Sequence, residues 1–419
     1  MKKTLILTLL ISLGISPALV ASVTDQEFAD LRAELINLME RVDILETENR
    51  TLKVTTQTTI KTMDGTRMHV AKVEQQSKKS SWAENTKWKG DFRYRYESIK
   101  IEDKDDRNRI RARIALISQL PQEVEVGFGM ATGGDDPVST NQTLGGGGST
   151  KDVRLDLAYF NWTANSKVNV IGGKFKNIWH RPDNNEMIWD SDWNPEGFAM
   201  TVKTGMLFVN GGLNWLESDS KKSNARVAWG LQSGLKTNFG DNLLIAGIGY
   251  YDLPVEGREV YFGDDEDFSG NSFSCSDPVD LVGCTYDNNY KEAQIFAEFR
   301  THFGDMPVVF LGDYVKNTDV DTFDTAWAVG IKIGKASNTG LWELAYRYQD
   351  LEADSLFGLT TNSDFAGGGT DAKGHIYKGT YALNKKWQVA FTYYHNKRNG
   401  NLGTEEDYDR LQIDTKFKF

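Results

Sequence analysis

Basic residues recur at every second position in the first part of this chain. Arg93 and Arg95 stand two apart, Arg109, Arg111 and Arg113 repeat the spacing, and Arg154, Lys174 and Lys176 follow further on. In an extended strand, alternate residues share one face, so each run presents its cations as a single row. Acids gather in one nearby segment, 178–196: Asp183, Glu186, Asp190, Asp192 and Glu196, with His180 and Arg181 at its start. Guanidinium groups on one wall and carboxylates opposite them would set up a transverse field. Such a field orients dipolar solutes and turns away apolar ones. The same charges could also simply brace a loop through salt bridges.

Covalent and metal chemistry find little support. His69, His180, His302, His375 and His395 are scattered, without HExxH or comparable ligand spacing. His180, His375 and His395 could be nominated as catalytic bases, but no nucleophile elbow accompanies them. Gly145 to Gly148 lack the GKS/T and following helix of a phosphate cradle. The expectation is therefore no enzyme, no cofactor and no metal.

The elements that must carry these rows are strands. Trp88, Gly90, Phe92, Tyr94 and Tyr96 alternate with Lys89, Asp91, Arg93, Arg95 and Glu97, and Ile110, Ala112, Ile114 and Leu116 interleave the next arginines. Counting such runs gives about sixteen strands: 88–98, 108–118, 123–131, 153–163, 167–177, 197–204, 206–216, 225–237, 241–252, 290–301, 307–317, 325–335, 340–351, 373–383, 387–396 and 408–419. Tight turns such as Pro121 to Glu123 and Asn384 to Lys386 alternate with long polar loops at 132–152, 178–196, 253–289, 352–372 and 397–407. Strict short–long alternation suits a barrel threaded from one side of a membrane. Parity then points the arginines inward, because an arginine on the lipid face costs about 2–4 kcal/mol near the midplane.

The last strand reads Leu411, Ile413, Thr415, Phe417 and Phe419 against Gln412, Asp414, Lys416 and Lys418. It puts an apolar face to lipid and a charged face to a wet lumen. Lys2 and Lys3, the apolar run from Leu5 to Leu13 and a small-residue exit at Ala21 read as a secretory signal peptide over 1–21. Beyond it, no run approaches the roughly 20 apolar residues of a membrane helix. The formal net charge is −11, and loss of Lys2 and Lys3 takes it to −13, which argues against a nucleic-acid partner. Cys275 and Cys284 lie in one polar stretch of an exported chain, which favours a local disulfide. Phe28, Leu31, Leu35, Leu38, Val42, Leu45, Asn49 and Leu52 alternate at spacings of three and four, a heptad seam over 24–53. Residues 54–86, rich in Thr, Lys and Gln, read as a tether, and 87–419 as the barrel.

Three further segments carry a family resemblance. Met187 to Gly197, Leu341 to Gln349, and Asp364 to Thr370 with Lys373, Gly374 and His375 resemble signatures of a bacterial family described as "putative porin". The closing Phe417 and Phe419 resemble the barrel assembly signal of outer-membrane proteins. The resemblance implies an all-β transmembrane barrel of about sixteen antiparallel strands, preceded by a short α-helical coiled coil in the periplasm. It also implies a homotrimer in the outer membrane of a Gram-negative bacterium, a passive channel for small hydrophilic solutes and ions. Its partners would be outer-membrane lipid, further copies of itself and the barrel assembly machinery. In such porins the loop after the fifth strand folds inward, which makes 178–196 the constriction. The expected pore set is Arg93, Arg95, Arg109, Arg111, Arg113, Arg154, Lys174, Asp183, Glu186, Asp190, Asp192 and Glu196. The rival readings are a structural or adhesive barrel tethered by its coil and a barrel-embedded hydrolase.

Overall fold

A computed structural model describes residues 25–79, 85–101, 105–222, 224–264 and 266–419. The signal peptide expected over 1–21 lies outside these residues. Two units are present, dividing at Ser81 and Trp82.

The first is one helix, α1, Asp25–Lys79. It covers the heptad seam and continues through most of the stretch expected to be a tether. Threonines explain both facts. Their β-branched side chains weaken the helix pattern in the sequence. In the helix, the hydroxyls of Thr55, Thr58, Thr59, Thr62 and Thr66 each return to the carbonyl four residues back at 2.8–2.9 Å. Leu31, Leu35, Leu38, Val42, Leu45 and Leu52 are all more than half exposed.

The second unit is a closed antiparallel barrel of sixteen long strands. They are β1 (Thr86–Lys100), β2 (Arg107–Leu120), β3 (Val124–Thr132), β4 (Val153–Asn165), β5 (Val168–Lys174), β6 (Glu196–Thr204), β7 (Leu207–Glu217) and β8 (Arg226–Phe239). The others are β9 (Asn242–Leu253), β10 (Tyr290–Phe303), β11 (Met306–Asn317), β12 (Thr325–Gly334), β13 (Trp342–Leu351), β14 (Ala372–Asn384), β15 (Trp387–Arg398) and β16 (Glu406–Lys418). Each pairs with the next in sequence, and β1 pairs with β16 to close the wall. Closure leaves no free edge, which is what lipid requires of a sheet. A two-residue strand, Gln142–Thr143, continues the pairing to β2 beyond the end of β3.

The last residue completes the seam. Phe419 and Gly90 exchange both backbone hydrogen bonds at 3.1 Å. A Cβ on Gly90 would lie 2.4 Å from the Phe419 ring, so only glycine fits there. Phe417 stacks on Trp387 at 5.4 Å between ring centroids.

Parity sorts the wall as alternation requires. Phe198, Leu231, Ile248, Ile295, Phe310 and Phe391 point outward and are exposed, as lipid-facing residues are. Arg95, Glu97, Gln232, Gln294, Glu298, Gln349, Arg410, Gln412 and Asp414 point inward and are buried. An interior this dry needs filling, and three loops supply it: L3 (175–195), L5 (254–289) and L7 (352–371). Trp179, Trp189 and Trp193 of L3, Phe268 and Tyr286 of L5, and Leu356, Phe357 and Phe365 of L7 form one apolar core with inward residues of β8–β15. Fully burying a side chain of this kind contributes about 1.5–3 kcal/mol. L5 also carries a hairpin, Phe273–Asp277 with Val282–Tyr286, in which Cys275 and Cys284 face each other and are bonded.

Candidate pore constriction

L3 leaves β5 and returns to β6 through a narrow root. Phe175 N–H donates to the Pro195 carbonyl at 3.0 Å, and Lys174 Nζ holds the Asn194 carbonyl at 3.1 Å and Glu196 at 3.0 Å. Lys174 and Glu196 therefore anchor the loop. Trp189 and Trp193 stack at 4.6 Å, with Tyr251 set edge-on to Trp189 at 5.1 Å. Arg181 ties the loop to itself by donating to the Trp189 carbonyl at 2.9 Å. With its indoles sunk in the core, L3 turns its acids toward two different walls.

Asp192 meets the arginine row. Its carboxylate lies 2.8 Å from Arg113 and 3.6 Å from Arg111, and the Thr140 hydroxyl donates to it at 3.1 Å. The same two arginines hold Asp91 at 2.8 and 3.0 Å. Burial by itself would raise the Asp192 carboxyl; Arg111 and Arg113 outweigh it and hold the group below the ordinary carboxylate range. Asp183 and Glu186 face elsewhere. Asp183 pairs with Lys332 on β12, and its N–H donates to Glu298 at 2.8 Å. Glu186 lies 3.9 Å from Arg181 and accepts from Asn362 at 2.9 Å.

Asp190 joins L3 to L7. It accepts the N–H groups of Asp192 at 2.7 Å and Ser363 at 3.0 Å, while its own N–H donates to the Thr360 carbonyl at 2.8 Å. Burial, with Glu186 and Asp192 close by, pushes its carboxyl well above the usual range. Arg154 lies apart from the cluster: its side chain is half exposed, and its ion pair is with Asp152 at 3.7 Å.

Arg93, Arg95, Arg109, Arg111 and Arg113 do line one wall, and their partners come from places that alternation could not indicate. Arg95 grips Asp414 on β16 at 2.7 Å and Asp364 of L7 at 2.9 Å. Arg410 on β16 binds Glu97 at 2.5 Å and Asp364 at 2.6 Å. Burial opposes ionisation of Asp364, but Arg410, Arg95 and Arg93 prevail and hold it well below the ordinary range. L7 is thus a second inward loop. Its glycines serve close approach as well as turn geometry. A Cβ at Gly358 or Gly369 would come within 2.1 or 2.2 Å of the Ser269 carbonyl oxygen, which the Thr370 N–H engages at 2.9 Å. The missed residues are Asp91, Glu97, Asp364, Arg410 and Asp414. Asp91 and Glu97 shared the parity of Arg93 and Arg95, a signal present in the sequence.

The histidines stand away from this site or brace it. His375 and His395 are cross-strand neighbours on β14 and β15, hydrogen-bonded at 2.9 Å to Tyr346 and 2.7 Å to Asp409. His180 lies 3.5 Å from Glu298.

A closed sixteen-stranded barrel with an apolar belt, a charged lumen and a loop folded in after the fifth strand defines an outer-membrane diffusion channel. The sequence profile of the family described as "putative porin" matches residues 100–261 and 278–419, and the chain belongs to that family. The fold is similar to that of Pseudomonas putida OprB, with a TM-score of 0.55, 11% identity, and coverage of 82% of this chain and 96% of that one. It is also similar to Salmonella typhi OmpF, solved with daunomycin, with a TM-score of 0.50, 13% identity, and coverage of 80% and 97%. No curated protein matches the chain by sequence. The protein is an outer-membrane porin, a passive channel.

Proposed function

We propose that small hydrophilic solutes and ions cross this porin off-centre, along the arginine wall of β1, β2 and β16, with L3 and L7 as the opposite bank. One observation carries the reading. Among the described residues, the buried apolar core inside the barrel draws on β8–β15 and the three loops, with Leu216 of β7 and Val138 packed at its margin and nothing from β1–β6 or β16. A dry, packed half offers a polar solute nothing; the charged half offers water and compensating ions. Purified protein in planar bilayers should give discrete conductance steps that scale with salt. A protein that inserts and stays silent would overturn the channel itself.

The channel works as a homotrimer whose helix stands in the periplasm. The exposed seam of α1 needs copies of itself to cover it. Its flanks suit parallel, in-register copies. Arg41 falls beside Glu46 of a neighbour, and Glu48 beside Lys53, the flanking heptad positions that set orientation. The seven-residue seam also runs on through Thr56, Thr59, Met63, Thr66 and Val70 within the same helix. Cross-linking of the detergent-purified protein should therefore give trimers. Deleting 25–79 should weaken them and leave the barrel folded, since its strands satisfy their own backbone groups. A cross-linked ladder ending at monomer would reject the assembly.

A further inference from the structure

Five arginines along the β1, β2 and β16 wall each have a carboxylate within 3.0 Å. Arg95 has Asp414, Arg107 and Arg410 have Glu97, Arg111 has Asp91, and Arg113 has Asp192, while Asp364 sits against Arg95 and Arg410. Counted by arginines, five cations face five anions, and Lys416 also approaches Asp414 at 3.3 Å. Two guanidiniums are left over. Among the described residues, Arg93, only 7% exposed, has no carboxylate within 4.0 Å and donates to the Asn141 side-chain oxygen. Arg109 has, among the described residues, only Glu97, at 4.0 Å. Among the described residues, the Nε of each lacks a hydrogen-bond partner. Arg93 stands opposite Arg111, and Arg109 opposite Arg95, so these two guanidiniums are diagonal neighbours across the β1–β2 ladder. Diagonal neighbours lie about 7–8 Å apart, within reach of one small ligand for side chains of this length.

Like charges set opposite each other destabilise a ladder, and a buried or half-buried cation whose counter-charge is absent or distant costs more still. Two such costs side by side call for an anion from outside. We propose that Arg93 and Arg109 form a binding site for a small dicarboxylate in transit, with Asn141 as a neutral neighbour that holds Arg93 in place. The chemistry favours carboxylate. A guanidinium fork takes a carboxylate by two parallel hydrogen bonds, and every satisfied arginine of this wall already has one from a side chain. Two guanidiniums without a close carboxylate match the two carboxylates of a dianion. The inference rests on the channel reading and names the solute class for it.

The test uses full-length protein in planar bilayers, with chloride current as the baseline and succinate as the probe. Succinate should reduce chloride current along a saturating curve, and more strongly than inorganic phosphate does. Arg93→Gln and Arg109→Gln should each raise the half-blocking concentration about tenfold or more, with chloride steps retained. Arg93→Lys, which keeps the charge and loses the fork, should fall between. Lys385→Gln, in the exposed turn between β14 and β15, should match the parent. Absence of any conductance would count against the channel reading itself. Normal steps with non-saturating succinate flux, stronger block by phosphate, or block unchanged in both glutamine variants would overturn the dicarboxylate site while leaving the channel standing.

Discussion

Excising 361–369 from L7 and bridging the gap with glycine and serine should raise single-channel conductance several-fold. That segment carries Asn362, Ser363 and Asp364, which tie L7 to Glu186, to Asp190 and to the Arg95–Arg410 pair. It also carries Phe365, one of the larger fully buried side chains inside the barrel. Removing it takes away one bank of the conduit. Arg95 keeps Asp414 and Arg410 keeps Glu97, so neither guanidinium is left alone. The wall should therefore stay folded, because removal of a sole partner is what costs about 3–5 kcal/mol at a buried pair. Asp364→Asn is the milder form: the loop stays packed through its apolar side chains but loses its ionic latch, and open-channel noise should rise more than mean conductance. Conductance unchanged by the excision, in channels that still insert, would mean that solutes do not pass beside L7.

The barrel was legible in the sequence because every strand obeys the same two-residue alternation, and all sixteen expected strands are present within a few residues. Loop destinations were not. The place of L3 followed from the strand count and the family resemblance, whereas L7 read only as one more long polar loop. Its Asp364 lies more than forty residues from Arg410 and far from Arg95, and only closure of β1 on β16 sets Arg95 opposite Asp414. The inward parity of Arg410, Gln412 and Asp414 could be read, but their partners depend on the register between the first and last strands. The expected opposition of five loop acids to the arginine row reduces to Asp192. Asp183 and Glu186 reach the other wall, Asp190 joins two loops, and Glu196 holds the loop root. In α1 the difficulty lay in the other direction: threonines that look like a tether also fit helical heptad positions once their hydroxyls turn back to the main chain.

Replacing Arg111 and Arg113 with glutamine should shift ion preference toward cations, and Asp192→Asn should shift it toward anions. Both arginines sit at the meeting of wall and L3, bonded to Asp91 and Asp192. Each substitution therefore changes the charge a passing ion meets. At about 5 Å, one unit charge is worth about 1–3 kcal/mol to an ion, depending on how much water screens it. A difference of about 1.4 kcal/mol is a factor of ten. With paired carboxylates and water cutting the effect, the permeability ratio should move roughly two- to tenfold for the double arginine variant. Asp190→Asn separates a pore role from a bracing one. Its carboxyl is held well above the usual range by burial and by the acids Glu186 and Asp192, and both its oxygens are engaged by the Asp192 and Ser363 N–H groups, away from the arginine row. Neutralising it should leave selectivity where it was and loosen the L3–L7 joint instead, since the amide nitrogen cannot accept the Ser363 or Asp192 N–H it would face. Reversal potentials across a salt gradient read all three. If the arginine and Asp192 variants keep the parent selectivity in normally assembled, open channels, these groups only brace L3. A shift from Asp190→Asn equal to that from Asp192→Asn would instead return Asp190 to the pore wall as a charged group.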